Sequence, residues 1–219
     1  TLAHEMGHAL HSYYSDSNQS YINAGYKIFV AEVASTCNES LLIHYLLKNT
    51  DNKAEKAYLI NHFLEQFKGT LYRQTMFAEF EKITHKMVEE GETLTSDILC
   101  KVYYDLNKQY FGEDMVLDEE IALEWARIPH FYNPFYVYQY ATGISAAIAL
   151  SKKIMEQGEA GVKDYMKFLT GGGSKDPIDL LKLAGVDMTT KEPIEKALEL
   201  FKELLDQMEQ SLLSIDTNA

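Results

Sequence analysis

The sequence predicts an all-α fold built from many helices. Apolar residues recur every three or four positions along almost the whole chain, and this spacing is typical of amphipathic helices rather than strands. Only 4 prolines interrupt the 219 residues, and proline is the residue that breaks a helix most strongly. Apolar residues make up 46% of the chain, so it can bury a substantial core. No stretch shows convincing strand alternation.

Breaks in the helical spacing divide the chain into successive predicted helices. They span, in order, residues 1–14, 30–48, 53–90, 96–111, 119–128, 135–157, 159–169, 177–184 and 190–213. The polar run 15–20 is expected to end the first helix as a loop. The stretch 53–90 is one long helix or two abutting helices, with Gly69 as the candidate break and Gly91 as the C-cap.

Four other stretches are predicted to lie outside regular helices. Residues 21–29 are expected to be irregular or briefly extended, and residues 130–134 form an aromatic loop. The glycines of segment 171–174 lack the spacing of a phosphate-binding loop, so a flexible connector is expected there. The last residues, 215–219, are expected to fray.

Charge, apolar stretches and cysteines bear on partners and location. The formal net charge is −13 and no basic stripe is present, so nucleic-acid binding is not expected. The longest apolar stretch, 141–150, is too short to span a bilayer, so no membrane partner is expected. Cys37 and Cys100 are far apart and form no CxxC pair. Reduced thiols in a cytoplasmic protein are therefore expected.

The start of the chain suggests a larger protein. There is no initiator Met, and the chain opens inside a predicted helix, because His4 needs residues before it to complete the first turn. We therefore expect the chain to be the C-terminal part of a longer, mostly helical protein.

The most informative motif is His-Glu-x-x-His at residues 4–8. Two histidines four residues apart on a helix, His4 and His8, project from one face and can share one Zn²⁺. Glu5 can then act as general base on a water that the metal activates. Gly7 weakens the helix, and a close approach by another backbone would explain why it is tolerated. A catalytic zinc usually has three protein ligands, so another element must supply the third.

Glu32 is the strongest candidate for the third ligand. It is the lone charge in the apolar and small-residue segment 29–36, where an unpaired carboxylate would be costly. Glu39 follows two helical turns later, where it could accept the free N–H of a metal-bound imidazole. His11 is the competing ligand, but it shares the helix of the first two histidines and points partly away, so a packing or hydrogen-bonding role is favoured. The other histidines on long helices are interpreted as surface or core residues: His44, His62 and His85.

An aromatic segment at residues 130–143 contains a second set of candidates. Hydroxyl donors and a histidine, His130, can stabilise the oxyanion that forms when water attacks a peptide carbonyl. On a helix Tyr136 and Tyr140 share a face, whereas Tyr138 lies on another. From the residues alone an aromatic core ridge is favoured, because buried tyrosines usually pack with their hydroxyls satisfied.

Two segments carry a resemblance to a known family: HEMGHALHSYY at 4–14 and FVAEVAST at 29–36. They closely resemble the oligoendopeptidase F family of thimet-oligopeptidase-like zinc metallopeptidases, and the likeness extends over nearly the whole chain. It implies a zincin-type helical catalytic domain, with metal helices at 1–48 and a substrate-binding segment at 130–143. The roles that it implies are zinc ligands at His4, His8 and Glu32, the general base at Glu5, and a helper carboxylate at Glu39.

The resemblance also changes the interpretation of the aromatic segment. Relatives carry a His-and-Tyr segment whose side chains bind substrate and stabilise the transition state. It implies these roles for His130 and Tyr140, and substrate binding for Tyr132 and Tyr136 as well.

Residues and resemblance together predict a zinc metalloendopeptidase that hydrolyses short peptides, in a channel completed by the upstream part of the protein. A zinc carboxypeptidase on a related scaffold is one alternative. It would need a group for the free carboxylate, for which Arg73 and Arg127 are equal candidates. The other alternative is an inactive helical module with a structural zinc or no metal, and Glu5 argues against it because a structural site needs no base.

Overall fold

The computed structural model describes the backbone of residues 1–216 and the side chains of residues 1–213. All regular elements in that part are helical, which confirms the all-α prediction. The α-helices are α1 (Leu2–Asn18), α2 (Tyr21–Ala24), α3 (Ile28–Asn49), α4 (Lys53–Gln66), α5 (Arg73–Glu89), α6 (Ser96–Phe111), α7 (Tyr138–Gln157), α8 (Glu159–Leu169), α9 (Pro177–Leu183) and α10 (Glu192–Asp216). A π-helical turn spans Phe67–Tyr72, and 3₁₀ helices span Glu119–Arg127 and Pro129–Tyr132.

The chain forms two compact units, of which the first comprises residues 1–67 and 142–219. In this unit α1 packs along α3, and α10 packs along α4. Its core contains residues of α3, α7, α8 and α9, such as Val33, Ala147 and Leu181, all fully buried. Burial of the apolar face of each helix is what stabilises this arrangement, since isolated helices of such lengths are marginal in water.

The second unit comprises residues 68–141 and is built on α5, α6 and both 3₁₀ helices. Its core is largely aromatic. The rings of Phe80 and Tyr103 make an edge contact with centroids 5.4 Å apart, and Phe131 lies 5.2 Å from Phe80. These contacts hold the 3₁₀ segments, which have little helical stability of their own, against α5 and α6.

Several predicted helix ends are confirmed by their capping geometry. The side chain of Thr95 accepts a hydrogen bond from the Ile98 amide at the start of α6. Gly91 follows α5 with φ 86°, the left-handed conformation that glycine adopts without a Cβ clash. The stretch 53–90 consists of two helices, and Gly69 lies in the π-helical turn between them.

The first helix is longer than predicted, because the polar run at 15–20 does not end it at once. Ser15 is fully buried in α1, and its Oγ donates to the Ala24 carbonyl at 2.5 Å. Asn18 donates from its side chain to the Tyr14 carbonyl at 2.8 Å. Polar side chains that find partners in this way do not break a helix. The segment after it also differs, since α2 is helical and α3 begins at Ile28.

Helix α7 begins at Tyr138 rather than at Phe135 as predicted. Phe135 has φ 60°, and no other described non-glycine residue has a positive φ. A left-handed residue cannot belong to a right-handed helix, so the turn at Phe135 sets the helix start.

The glycine-rich segment 171–174 is not the flexible connector that the sequence predicts. Gly171 and Gly172 are buried, and the Gly173 amide donates to the Asn23 carbonyl at 2.7 Å. A Cβ atom on Gly172 would collide with the same carbonyl. These glycines therefore allow a close approach to the chain that follows α1.

The last helix, α10, covers positions 215 and 216, the first two residues for which fraying is predicted. The rest of that prediction, for residues 217–219, lies outside the described residues. Over the part of the chain that the structure describes, none of the helices is both long and apolar enough to cross a membrane.

Candidate metal centre

The candidate centre is built where α1 lies against α3. A Cβ atom on Gly7 would lie 2.5 Å from the Cα atom of Ser35, which confirms the expected close backbone approach. Near the start of α1, the side-chain amide of Asn38 donates to the Ala3 carbonyl at 2.5 Å. The two helices therefore touch along the turn that carries the His-Glu-x-x-His motif.

Three predicted ligands converge at this contact. His4, His8 and Glu32 each offer one ligand atom, and these atoms all lie within 4.8 Å of one another. The Glu32 Oε2 atom is 3.3 Å from the His4 Nε2 atom and 3.7 Å from the His8 Nε2 atom. All three side chains are half-buried, with 27%, 29% and 35% of their surfaces exposed.

This donor set fits a zinc ion. Ligand atoms about 2.0–2.1 Å from a tetrahedral ion lie roughly 3.3 Å from one another, close to the 3.3 Å and 3.7 Å between the Glu32 Oε2 atom and the two histidine Nε2 atoms. Two imidazoles and one carboxylate also match the ligand chemistry of a catalytic zinc with one position left for water or substrate. No other group of this kind occurs among the residues that the structure describes.

Two further side chains contact the candidate ligands. The Glu39 Oε2 atom lies 3.3 Å from the His4 Nδ1 atom, so a proton on Nδ1 would leave Nε2 free as the ligand atom. The hydroxyl of Ser35 lies 3.1 Å from the Glu32 Oε2 atom and 3.0 Å from the Glu32 carbonyl oxygen, and it donates toward both. His4 and Glu32 are thus each restrained by a neighbouring side chain.

Glu5 lies on the exposed side of α1. It follows His4 directly in the motif, and a neighbouring carboxylate open to solvent can exchange protons with water. This exposure suits a base that must reach water and substrate.

His11 does not join the ligands. Its side chain is fully buried and stacks on Tyr26, with ring centroids 3.7 Å apart, and it also contacts Phe168. Neither ring nitrogen has a hydrogen-bond partner among the described residues. Burial, assisted by the charge of His8, lowers the pKa of His11 from 6.5 to about 4. Of the two roles expected for His11, the structure shows packing and not hydrogen bonding.

The remaining helix histidines are not members of the ligand group either. His44 donates from Nδ1 to the Ser40 carbonyl at 2.7 Å. His62 stacks on Tyr58, and His85 lies 4.6 Å from the ring of Phe135.

The aromatic segment places three of its predicted residues together. The rings of His130 and Tyr136 stack at 5.7 Å, and Tyr140 meets both edge-on. The Tyr140 hydroxyl lies 3.4 Å from His130 Nε2 and 3.5 Å from the Tyr136 hydroxyl. We call His130, Tyr136 and Tyr140 the aromatic triad. Tyr132 is 86% exposed and makes none of these ring contacts.

Sequence reasoning assigned no role to three residues that the structure connects to these groups. One is Ser35, whose hydroxyl donates to Glu32 on the same helix. Another is Asn38, whose side chain links α3 to the start of α1. The third is Glu81 of α5, which is 4% exposed and bonded to the Phe135 amide. The alternating polar and apolar residues around Glu81 gave no signal, because carboxylates on amphipathic helices are usually solvated.

The two arginines considered for carboxylate capture share one partner. Both Arg73 and Arg127 pair with the Oε1 atom of Glu124. The other Glu124 oxygen accepts from the Tyr103 hydroxyl at 2.6 Å. Burial opposes ionisation of Glu124, but these partners lower its pKa overall. Both guanidinium groups are thus engaged in an ion-pair network within the second unit.

The chain is similar to known peptidases over most of its length. The model of peptidase family M3 matches residues 1–200. Oligopeptidase PepF of Bacillus subtilis is 57% identical over 215 residues, which are 98% of this chain and 32% of that protein. The chromosomal oligoendopeptidase F of Lactococcus lactis subsp. cremoris is 44% identical over 96% of this chain and 35% of its own length.

A solved structure shares the fold. The crystal structure of oligoendopeptidase-F from Enterococcus faecium superposes with a TM-score of 0.87 at 45% identity, over 97% of this chain and 38% of that one. The chain thus spans about a third of the length of the curated relatives it matches.

Proposed function

The chain belongs to peptidase family M3, and from that membership we propose that it contributes the zinc site of a metalloendopeptidase acting on short peptides. The observation that carries the proposal is the convergence of His4, His8 and Glu32 within 4.8 Å, with Glu5 beside them in the motif. The names of the similar proteins, an oligopeptidase and an oligoendopeptidase, support the same reaction and substrate class.

We propose that one Zn²⁺ is the cofactor, held by the two imidazole Nε2 atoms and the Glu32 carboxylate. When bound, zinc would supply a Lewis acid that acidifies a water and polarises the peptide carbonyl. The carboxylate of Glu39 keeps the His4 ring in the orientation that directs Nε2 toward the other ligands.

Glu5 is the proposed proton carrier. Its carboxylate takes a proton from the attacking water and holds it while the tetrahedral carbon forms. It then gives the proton to the leaving amine, which cannot depart as an anion at neutral pH. An exposed position on α1 gives this carboxylate access to both water and peptide.

The aromatic triad is proposed to bind substrate. Tyr140, and His130 when Nε2 carries a proton, would donate hydrogen bonds to the carbonyl oxygen as it gains negative charge. Tyr136 stacks on His130 and orients it. Tyr132 is the weakest member of this proposal, since it is largely exposed and lies outside the ring contacts.

The proposed partners are short, unfolded peptides, and nucleic acid and membranes are not among them. The expectation that an upstream part of the protein completes the cleft remains a prediction. We also propose a cytoplasmic location, which the two free cysteines support. Burial raises the pKa of the Cys37 thiol to about 12, although a hydrogen bond with Tyr165 opposes this, so the thiol is unreactive.

The experiment that tests the proposal combines Glu5→Gln with metal analysis. The variant should bind zinc as the wild type does, yet hydrolyse an internally quenched peptide several orders of magnitude more slowly. Asp16→Asn is the matched control, since Asp16 is an exposed acid on the same helix. Near-normal turnover by Glu5→Gln would contradict the proposed mechanism.

Mass analysis of the products separates the alternatives. Internal cleavage supports the endopeptidase, whereas release of single residues from the C-terminus would favour a carboxypeptidase. The pairing of Arg73 and Arg127 with Glu124 counts against the latter. A wild-type protein that retains zinc without cleaving any peptide would instead support the inactive binding module.

A further inference from the structure

The turn at Phe135 is held in a backbone conformation that its own sequence does not favour. Its φ of 60° brings Cβ close to the following carbonyl, which is why residues other than glycine avoid this region. Such a residue persists only where its surroundings fix it, and it is a reason to look for function. The contacts that fix Phe135 come from α5.

One contact is a hydrogen bond to the backbone. Glu81 lies in the middle of α5, only 4% exposed, and its Oε1 atom accepts from the Phe135 amide at 2.9 Å. The second oxygen, Oε2, is buried without a hydrogen-bond partner among the described residues. A buried carboxyl group with a single bond is costly to keep, so a residue of this kind in a helix core needs a compensating role.

A second contact holds the side chain. His85 lies one helical turn after Glu81, and its ring centroid is 4.6 Å from that of Phe135. Glu81 and His85 thus hold the same residue, one at the backbone amide and the other at the ring.

The turn leads directly into the aromatic triad. Tyr136 is the next residue, and its carbonyl accepts from the Gln139 amide at 3.2 Å. The Tyr140 amide donates to the carbonyl of Val137, a fully buried residue, at 3.2 Å. The first turn of α7 is therefore built on the residues that follow Phe135, and a change in that turn would move both tyrosines.

We propose that Glu81 is the positioning residue of the substrate-binding segment: its buried carboxyl group fixes the turn at Phe135 and thereby the placement of the aromatic triad. This inference rests on the proposed function, because the triad matters to turnover only if it contacts substrate. A misplacement of the donors by about 1 Å can reduce turnover on the order of 100-fold.

The test compares two substitutions at one position. Glu81→Met keeps the volume of the side chain but removes the acceptor, so kcat should fall by about 10- to 100-fold with a smaller change in KM. Glu81→Gln keeps an acceptor oxygen and should restore kcat to within about threefold of the wild type. Zinc content should be the same in all three proteins.

Glu79→Met is the matched control. Glu79 is a half-buried carboxylate on the same helix, but it accepts from the Tyr110 hydroxyl at 2.6 Å, whereas the Phe135 amide donates to Glu81. Hydrogen exchange at the Phe135 amide, measured without metal, gives a readout independent of activity. It should rise in Glu81→Met and remain slow in Glu79→Met. If Glu81→Met does not fold, Glu81→Asp keeps the carboxyl group but shortens the side chain by one methylene, which withdraws the acceptor from the Phe135 amide and should lower kcat to a similar extent.

The possible results distinguish a failure of the positioning role of Glu81 from a failure of the proposed peptidase function. Equal kcat in Glu81→Met and the wild type, or an equal loss in Glu79→Met, would overturn the positioning role while leaving the peptidase intact. Unchanged exchange at the Phe135 amide would overturn it as well. Zinc-loaded wild type without peptidase activity would overturn the proposed function, and this inference with it.

Discussion

Gly7 of α1 and Ser35 of α3 meet so closely that a side chain on Gly7 has no room. An added Cβ atom would lie 2.5 Å from the Ser35 Cα atom and 2.8 Å from the Ala34 carbonyl oxygen. The histidines of the motif flank Gly7 on one helix, and Glu32 precedes Ser35 on the other. The helices α1 and α3 can therefore approach this closely only because residue 7 has no side chain.

Gly7→Ala should force these helices apart. We expect a loss of about 1–3 kcal/mol in the free energy of unfolding, the usual cost of overpacking. Zinc affinity should fall as well, because Glu32 would move relative to both histidines. Urea unfolding of the metal-free protein and zinc titration measure the two effects. Gly69→Ala is the control, since nothing lies within 4 Å of its added Cβ. Its free energy of unfolding and its zinc affinity should change little. Unaltered zinc affinity in Gly7→Ala would show that the helix separation does not control the site.

Glu39 should contribute to metal affinity without being a ligand. Its carboxylate lies 3.3 Å from His4 Nδ1, and loss of such a partner typically lowers metal affinity by about 10- to 100-fold. We expect this loss for Glu39→Ala in a competition titration with a zinc chelator. Glu39→Gln retains an acceptor oxygen and should lose less. Equal affinities for Glu39→Ala and the wild type would mean that the His4 ring is oriented by other contacts.

The sequence predicted the grouping of His4, His8 and Glu32 better than the surroundings of the aromatic segment, and the reason is the range of the interactions. His4 and His8 are one helical turn apart, and Glu32 stands out within its own helix, so local spacing was sufficient. The left-handed turn at Phe135 depends on Glu81, 54 residues away. No periodicity encodes a single contact at that distance.

Dependence on distant contacts also explains why the loop predicted at 15–20 and the flexible connector predicted at 171–174 differ from the structure. Ser15 is polar, and polarity alone predicts a loop, but its hydroxyl is satisfied by the Ala24 carbonyl. The glycines at 171–174 predicted flexibility, although Gly173 is bonded to Asn23. In both cases the partner is decided by tertiary packing, which overrides the local preference.

Tyr140→Phe should separate substrate chemistry from metal binding. The hydroxyl of Tyr140 lies near His130 Nε2 and the Tyr136 hydroxyl in the aromatic triad. If it donates to the developing oxyanion, its removal should lower kcat by about 100-fold or more, with zinc content unchanged. Tyr45→Phe is the control, because Tyr45 is an exposed tyrosine of α3. A fall in zinc content or in thermal stability that accounts for the lost activity would assign Tyr140 a structural role instead.

His11 should make the stability of the first unit depend on pH. Burial first, and the charge of His8 second, lower its pKa from 6.5 to about 4. The folded state therefore favours the neutral ring, and the unfolded chain binds the extra proton between these values. The contribution of the neutral His11 ring to the free energy of unfolding is complete above the unfolded pKa of 6.5 and is lost as the pH falls toward 4. Over this interval the loss is about 3 kcal/mol.

The measurement is urea unfolding of metal-free wild type and His11→Leu across this pH range. At neutral pH His11→Leu should be less stable, because leucine replaces the ring that stacks on Tyr26. As the pH falls, the difference should shrink by up to about 3 kcal/mol, since leucine has no proton to gain. His62→Leu removes an exposed histidine of α4 and should follow the wild-type curve. Parallel curves for wild type and His11→Leu would show that folding does not change the proton affinity of His11, which would contradict the lowered pKa of the buried ring. A difference that narrows as the pH falls from 6.5 toward 4 would show that the folded state keeps the ring neutral, so the slope of the difference reports on the environment of His11.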